Sequence, residues 1–265
     1  MPELSASEVS LRIGGVHILR SVGIELDRSG IVGLVGPNGA GKTTLFNVIC
    51  GLVRPSRGTV TLEGHDVTSL PPHARAAMGL GRTFQNLQLY DEMTVLDNVM
   101  VGRAKTFPRG LGGALVAAVA GGTWPAEREA RQKAYATLDM LGIADDARRP
   151  VAELPFGRRR LVDLARALCG EPSVVLLDEP FSGLTSQEKS AMAETVADVR
   201  QKRDVALMLV EHDMDVISSF CSTVTVLDSG EVIAAGQPQE VLEMDAVKEA
   251  YLGRELTRLS RGDNR

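Results

Sequence analysis

The sequence predicts an α/β fold: a mostly parallel sheet with flanking helices, an antiparallel β-subdomain at the N-terminal end, and an inserted helical subdomain. Three observations carry this. Short apolar runs at Ile31 to Val35, Val174 to Leu177 and Val205 to Val210 read as strands buried on both faces. Helical stretches such as Thr44 to Leu52 and Gln187 to Arg203 follow such runs, the order expected of parallel strands joined by crossover helices. The remaining sequence has other periods, two over the first 65 residues and a helical spacing within residues 71–150.

In order along the chain, Val9, Leu11 and Ile13 alternate with polar or small neighbours, as do Val22, Ile24 and Leu26, and later Val60 and Leu62. Gly14-Gly15 and Ser29-Gly30 break these runs as turns would, which predicts antiparallel strands. After the buried run Ile31 to Val35, Thr44 to Leu52 is an apolar helix. Pro71-Pro72 opens a helical stretch, Gly81 to Phe84 reads as a strand, and Arg128 to Leu141 has helical spacing. Prolines and glycines between residues 108 and 125 mark irregular connections. Leu161 to Cys169 is a short amphipathic helix and Gln187 to Arg203 a charged one. Val224 to Leu227 and Glu231 to Ala235 form a hairpin about Asp228-Ser229-Gly230. The expected division is one domain over 1–265. Its core is formed by 1–85 and 151–255, with a helical subdomain over 86–150 and a polar tail over 256–265.

Composition narrows the functional classes. With 44% hydrophobic, 24% charged and 4% aromatic residues in 265, disorder, collagen-like repeats and a coiled coil are excluded as the main content. A net charge of −5 without a long basic tract weighs against a dedicated nucleic-acid binder. No run reaches the ~20 apolar residues that span a bilayer; the nearest, Gly110 to Ala126, carries five glycines and Pro125. The first ten residues show no secretory pattern. Cys50, Cys169 and Cys221 lie far apart beside apolar residues and read as reduced core thiols of an intracellular protein.

The chemistry begins at Gly36-Pro37-Asn38-Gly39-Ala40-Gly41-Lys42-Thr43, a glycine, four residues, then Gly-Lys-Thr, between a buried strand and an apolar helix. Glycines let successive N–H groups curl round phosphate oxygens at the helix N-terminus. Lys42 would reach the β- and γ-phosphates and the Thr43 hydroxyl Mg²⁺. The fold expected is therefore a P-loop NTPase core, with ATP and Mg²⁺ as cofactors and Gly36 to Thr44 as the nucleotide-binding segment.

Asp178 ends an apolar strand, which sets its carboxylate at the sheet's carboxyl edge, where it can hold Mg²⁺. Glu179 points to the other side and can meet the attacking water. Glu211-His212 closes Val205 to Val210 in the same way, so His212 can bond a γ-phosphate or orient Glu179 and its water. Gln85, after its short strand, is either a contact to Mg²⁺ or water, or a surface amide. Leu154-Pro155-Phe156-Gly157-Arg158 precedes a helix, and the cluster Arg158 to Arg160 reads as a phosphate site or a solvated helix face.

These motifs, in this order and at these separations, resemble the ATP-binding subunit of ABC transporters over nearly the whole chain. The resemblance implies that Gln85 is the Q-loop glutamine, residues 154–158 the signature loop that grips a partner chain's ATP, residues 182–185 the D-loop, and His212 the switch histidine. The stretches Gly36 to Asn47, Gly81 to Leu89, Met93 to Gly102 and Val232 to Gly253 are similar to the importers of branched-chain amino acids. That implies two different ATPases, two permeases and, indirectly, a solute-binding protein, with no nucleic acid, and a peripheral site on the cytoplasmic face of the membrane. Relatives of this build import other amino acids, urea or amides.

Three departures stand out. Pro155 occupies the position of the usual signature serine, Arg158 that of a glutamine, and Ile13 that of the aromatic that stacks on adenine. A homodimer would then hold two weakened sites, so a heterodimer is expected. The resemblance implies that Glu179 polarises the water, His212 positions it, Lys42 meets the phosphates, and Thr43, Asp178 and Gln85 hold Mg²⁺. Competing readings are a soluble ABC ATPase acting on nucleic acid or ribosomes, and a small-molecule kinase. Leu111 to Gly121 reads as a buried helix or a permease contact.

Overall fold

The computed structural model describes residues 2–106 and 125–251; Leu111 to Gly121 and the tail from 256 lie outside them. The N-terminal part is an antiparallel sheet in the order β2-β1-β4-β5, from β1 (Leu4–Ile13), β2 (Val16–Leu26), β4 (Arg57–Leu62) and β5 (His65–Asp66). The second sheet has the order β10-β9-β3-β8-β7-β6. It comprises β3 (Ile31–Val35), β6 (Leu80–Arg82), β7 (Val174–Asp178), β8 (Ala206–Val210), β9 (Thr223–Asp228) and β10 (Glu231–Gly236). All its pairings are parallel except the β9–β10 hairpin.

Period-two geometry divides the core between the two faces of this sheet. Ile31, Val35, Val175, Leu177, Leu207 and Leu209 face one cluster; Val32, Leu34, Val174, Leu176, Met208 and Val210 face the other. The latter is closed by the antiparallel sheet and by α1 (Lys42–Ile49), whose Leu45 and Phe46 are fully buried. The former takes α3 (Val95–Met100), α4 (Pro125–Met140), α5 (Phe156–Cys169), α6 (Ser186–Arg203) and α7 (Met214–Phe220). Two further short helices are α2 (Pro72–Ala77) and α8 (Pro238–Glu243), and residues 245–251 are helical as well.

The expected helix over Thr44 to Leu52 runs instead from Lys42 to Ile49, because Gly51 turns left-handed (φ 77). Its last carbonyls are met by Arg75, which is 1% exposed. The guanidinium donates to Val48 (2.7 Å), Ile49 (2.6 Å), Leu70 (3.0 Å) and Thr68 (3.0 Å). A cation at the negative end of a helix dipole is favourable there. The helix expected to begin at Leu161 starts at Phe156, directly after Pro155, and the strand expected over Gly81 to Phe84 stops at Arg82. There Phe84 N–H leaves the sheet for the carboxylate of Asp163.

Candidate functional site

Four parallel strands deliver their carboxyl ends to one edge in the order β3, β8, β7, β6. Phosphate loop, Glu211-His212, Asp178-Glu179 and Gln85 all follow at that edge, as the sequence order demands.

The loop after β3 needs its glycines. Gly36 has φ 146 and a Cβ there would lie 2.0 Å from the Leu227 carbonyl oxygen; Gly41 caps α1 at φ 109. The chain next to the loop is fixed too, since Gly230 N–H donates to Ala40 O (2.9 Å). Lys42 is 8% exposed and curls over the loop, its Nζ donating to Gly36 O (2.6 Å) and Pro37 O (3.1 Å). Asn38, Gly39 and Thr43 are exposed and Thr44 is half-buried.

Asp178 is buried, and one of its oxygens, Oδ2, accepts from Arg82 at 2.8 Å. Arg82 also donates to Asn47 Oδ1 (2.8 Å) on α1 and lies over the Phe46 and Phe84 rings. The Asp178 N–H is taken by Thr83 Oγ1 at 3.1 Å. The carboxylate is thus linked through Arg82 of β6 to Asn47 of α1. A hydroxyl, a carboxylate and the amide oxygen of Gln85 are hard donors of the kind Mg²⁺ accepts.

Glu179 has φ 48, and its N–H donates to Val210 O (3.0 Å). Its Oε2 accepts the Gln85 amide at 2.9 Å. Gln85 is exposed, and its amide is bonded to Glu179. His212 sits at the same edge with its side chain 63% exposed, its Nδ1 3.7 Å from Glu211 Oε2. Among the described residues, Glu179 bonds Gln85 rather than His212. Ile13 ends β1 at a hairpin tip and is 56% exposed beside the equally exposed Val16. From that tip β2 passes the loop, where a Cβ on Gly41 would meet Leu19 at 2.9 Å.

The arginines of the signature segment are held by ion pairs and backbone carbonyls. Leu154 is buried, Pro155 precedes α5 without a side-chain cap, and Arg158 pairs with Asp146 (2.8 Å), which also holds Arg149 (2.9 Å). Arg159 pairs with Asp91 (2.6 Å). Arg160 is 7% exposed and donates to Gln85 O (3.0 Å), Phe84 O (3.3 Å) and Ser182 O (3.3 Å). Arg158 is exposed and Arg159 partly so, each in an ion pair, whereas Arg160 is buried on backbone carbonyls.

One turn further along α5, Asp163 accepts the Phe84 N–H (3.0 Å) and the Arg166 guanidinium (2.6 Å), and Arg166 donates to Gln88 O. Burial pushes the Asp163 carboxyl up against the pull of Arg166. Positions 160, 163 and 166 share one helix face, and that spacing was their only sequence signal. Phe156 is half exposed and packs on Arg160 (5.1 Å) and towards Gly183, so the signature touches residues 182–185. Thr185 makes a capping box with Glu188 at the start of α6.

Comparison with known proteins decides the family. The ABC transporter model matches residues 19–182. The high-affinity branched-chain amino acid transport ATP-binding protein LivG of Salmonella typhimurium is 35% identical over 95% of this chain and 98% of its own length. The chain belongs to the ABC transporter family. A second model, branched-chain amino acid ATP-binding cassette transporter, matches residues 231–257 of the cassette.

The lipopolysaccharide export ATP-binding protein LptB of Acidithiobacillus ferridurans is also 35% identical, over 89% of the cassette and 90% of its own length. The ADP conformation of an ATP-binding cassette of an ABC transporter superposes with a TM-score of 0.83 at 29% identity, covering 96% of this cassette and 99% of that one. The fold expected from the sequence is the fold of these cassettes, and the chain is an ATP-binding, ATP-hydrolysing unit. No helix among the described residues is long and apolar enough to cross a membrane.

Proposed function

We propose that this cassette powers import of branched-chain or related amino acids through a membrane permease. The observation that carries the substrate class is the match of residues 231–257 to the branched-chain amino acid transporter model, since the same percentage identity is also reached, over a smaller share of the chain, by a lipopolysaccharide export protein.

In this reading Gly36 to Thr44 cradle the triphosphate of ATP, with Ile13 against the adenine, and Lys42 turns from Gly36 and Pro37 to the β- and γ-phosphates. Thr43, Asp178 and Gln85 would hold Mg²⁺, which when bound neutralises developing charge on the phosphates. Glu179 draws the proton from a water in line with the γ-phosphate, the water oxygen bonds to phosphorus, and the bond to ADP breaks. Gln85, already on Glu179, aims that carboxylate; His212 reaches the γ-phosphate from the next strand.

The cassette works at the cytoplasmic face of a pair of permease subunits, one of which sets a cytoplasmic helix in the groove near Gln85 to Tyr90. Residues 86–150 make the helical subdomain, and 1–85 with 151–255 the nucleotide-binding core, with 256–265 as a polar tail. The second ATPase is a different chain. Pro155 offers no hydroxyl to a partner's phosphate and Arg158 is committed to Asp146, so Leu154 to Arg158 serve a weak site. The strong site pairs this chain's Lys42, Glu179 and His212 with an intact signature. A solute-binding protein completes the assembly.

The test is affinity purification of the tagged chain from gently solubilised native membranes. Recovery of two permeases and a distinct ATPase with a serine-bearing signature supports the proposal. Recovery with ribosomes or nucleic acid, and no permease, removes it.

A further inference from the structure

Two hydrogen bonds converge on a carboxylate that the chemistry above leaves unused. Glu211 follows β8, one residue before His212, and is 1% exposed. Its Oε1 accepts the N–H of Phe181 at 3.0 Å and its Oε2 that of His212 at 3.3 Å. Burying a carboxylate is costly unless its oxygens are met, and burial pushes Glu211 up even with both donors in place.

What those oxygens hold lies on both sides of the hydrolytic site. The left-handed backbone of Glu179 (φ 48) is a strained state for a residue with a side chain, and such states persist only where the surroundings fix them. One fixing contact is the bond from Glu179 N to Val210 O; the next, two residues on, is the bond from Phe181 N to Glu211. Phe181 is itself set edge-on against Phe220 of α7, with ring centres 5.7 Å apart. The other oxygen fixes the peptide from which His212 projects. One side chain thus references the carboxylate on β7 and the imidazole on β8 to a common point.

We propose that Glu211 is a positioning residue for hydrolysis, fixing with its two carboxylate oxygens the backbone on which Glu179 and His212 stand. This rests on the roles given to Glu179 and His212 above. Glu211→Gln keeps the shape but turns one acceptor into an NH₂ group facing an N–H donor, so one bond is lost; Glu211→Ala loses both. Neither change touches Lys42 or the phosphate loop.

The experiment uses the full chain assembled with its partner ATPase and permeases. Phosphate release and the affinity for a non-hydrolysable ATP analogue are measured for wild type, E211Q, E211A and E179Q. The expected result is a kcat lowered about 10-fold in E211Q and further in E211A, with KM and analogue affinity within about 2-fold of wild type. A wild-type kcat in E211Q, or a fall in affinity as large as the fall in kcat, overturns the inference. E211Q alone decides if E211A does not fold. Full activity in E179Q removes the underlying reading instead, whereas loss in E179Q with an unaffected E211Q removes only the role of Glu211.

Discussion

Gln85 donates its side-chain amide to Glu179 across 2.9 Å, joining the loop that follows β6 to the residue after β7. The two are 94 positions apart in sequence, and the backbone of Gln85 is held in turn by Arg160 of α5. Replacing Gln85 by Ala should free the carboxylate while leaving the phosphate loop intact. Turnover should fall about 10-fold with ATP affinity retained, as steady-state kinetics beside a nucleotide-binding assay will read.

Glu179→Gln tests the general base directly. The variant keeps the size and a hydrogen-bonding partner for Gln85 but loses the basic oxygen, so kcat should drop by about 100-fold or more while ATP still binds. Unchanged phosphate release would assign the base elsewhere.

The signature predicts asymmetry. Alone, this chain should hydrolyse ATP roughly 10-fold or more slowly than the paired ATPases, because losing one phosphate donor costs about that much or more. Pro155→Ser together with Arg158→Gln should raise the activity of the isolated chain. Equal rates for the single chain and the pair would count against the heterodimer.

Arg75 should matter for stability rather than chemistry. Arg75→Met leaves the carbonyls of Ile49, Leu70 and Thr68 without this donor, while Val48 O keeps the Gly51 N–H, at a cost of about 2–4 kcal/mol. A thermal scan should show a midpoint lowered by roughly 5–15 °C.

The three cysteines are buried, and burial pushes the Cys221 thiol up to about 12, the Cys169 thiol up to about 11, and the Cys50 thiol up as well. At pH 8 they remain protonated, so a thiolate-seeking reagent should label none in the native chain and all three in denaturant. Fast native labelling would contradict the reading of these residues as core thiols.

Much of the site was legible because its demands are local. Glycine at positions 36, 39 and 41 is required by positive φ angles within one short loop, and Asp178 and His212 are placed by the apolar strands before them. Contacts made to distant backbone were hidden. Nothing in the pattern around Arg75, Arg160 or Glu211 says that their partners are carbonyls or amides contributed by remote segments, 26 and 27 positions away for α1 and 30 for Phe181. Charged residues on a helix or at a strand end read as solvent-facing until packing shows otherwise. The boundaries of α1 and α5 shifted for a related reason, since turn geometry at Gly51 and the position of Pro155 outweigh apolar periodicity.

The guanidinium of Arg160 grips the Q-loop backbone with one nitrogen and the D-loop backbone with the other. Such a linkage has no slack. In the assembly proposed above, a displacement of residues 84–85 would therefore be carried to residue 182 through a single side chain.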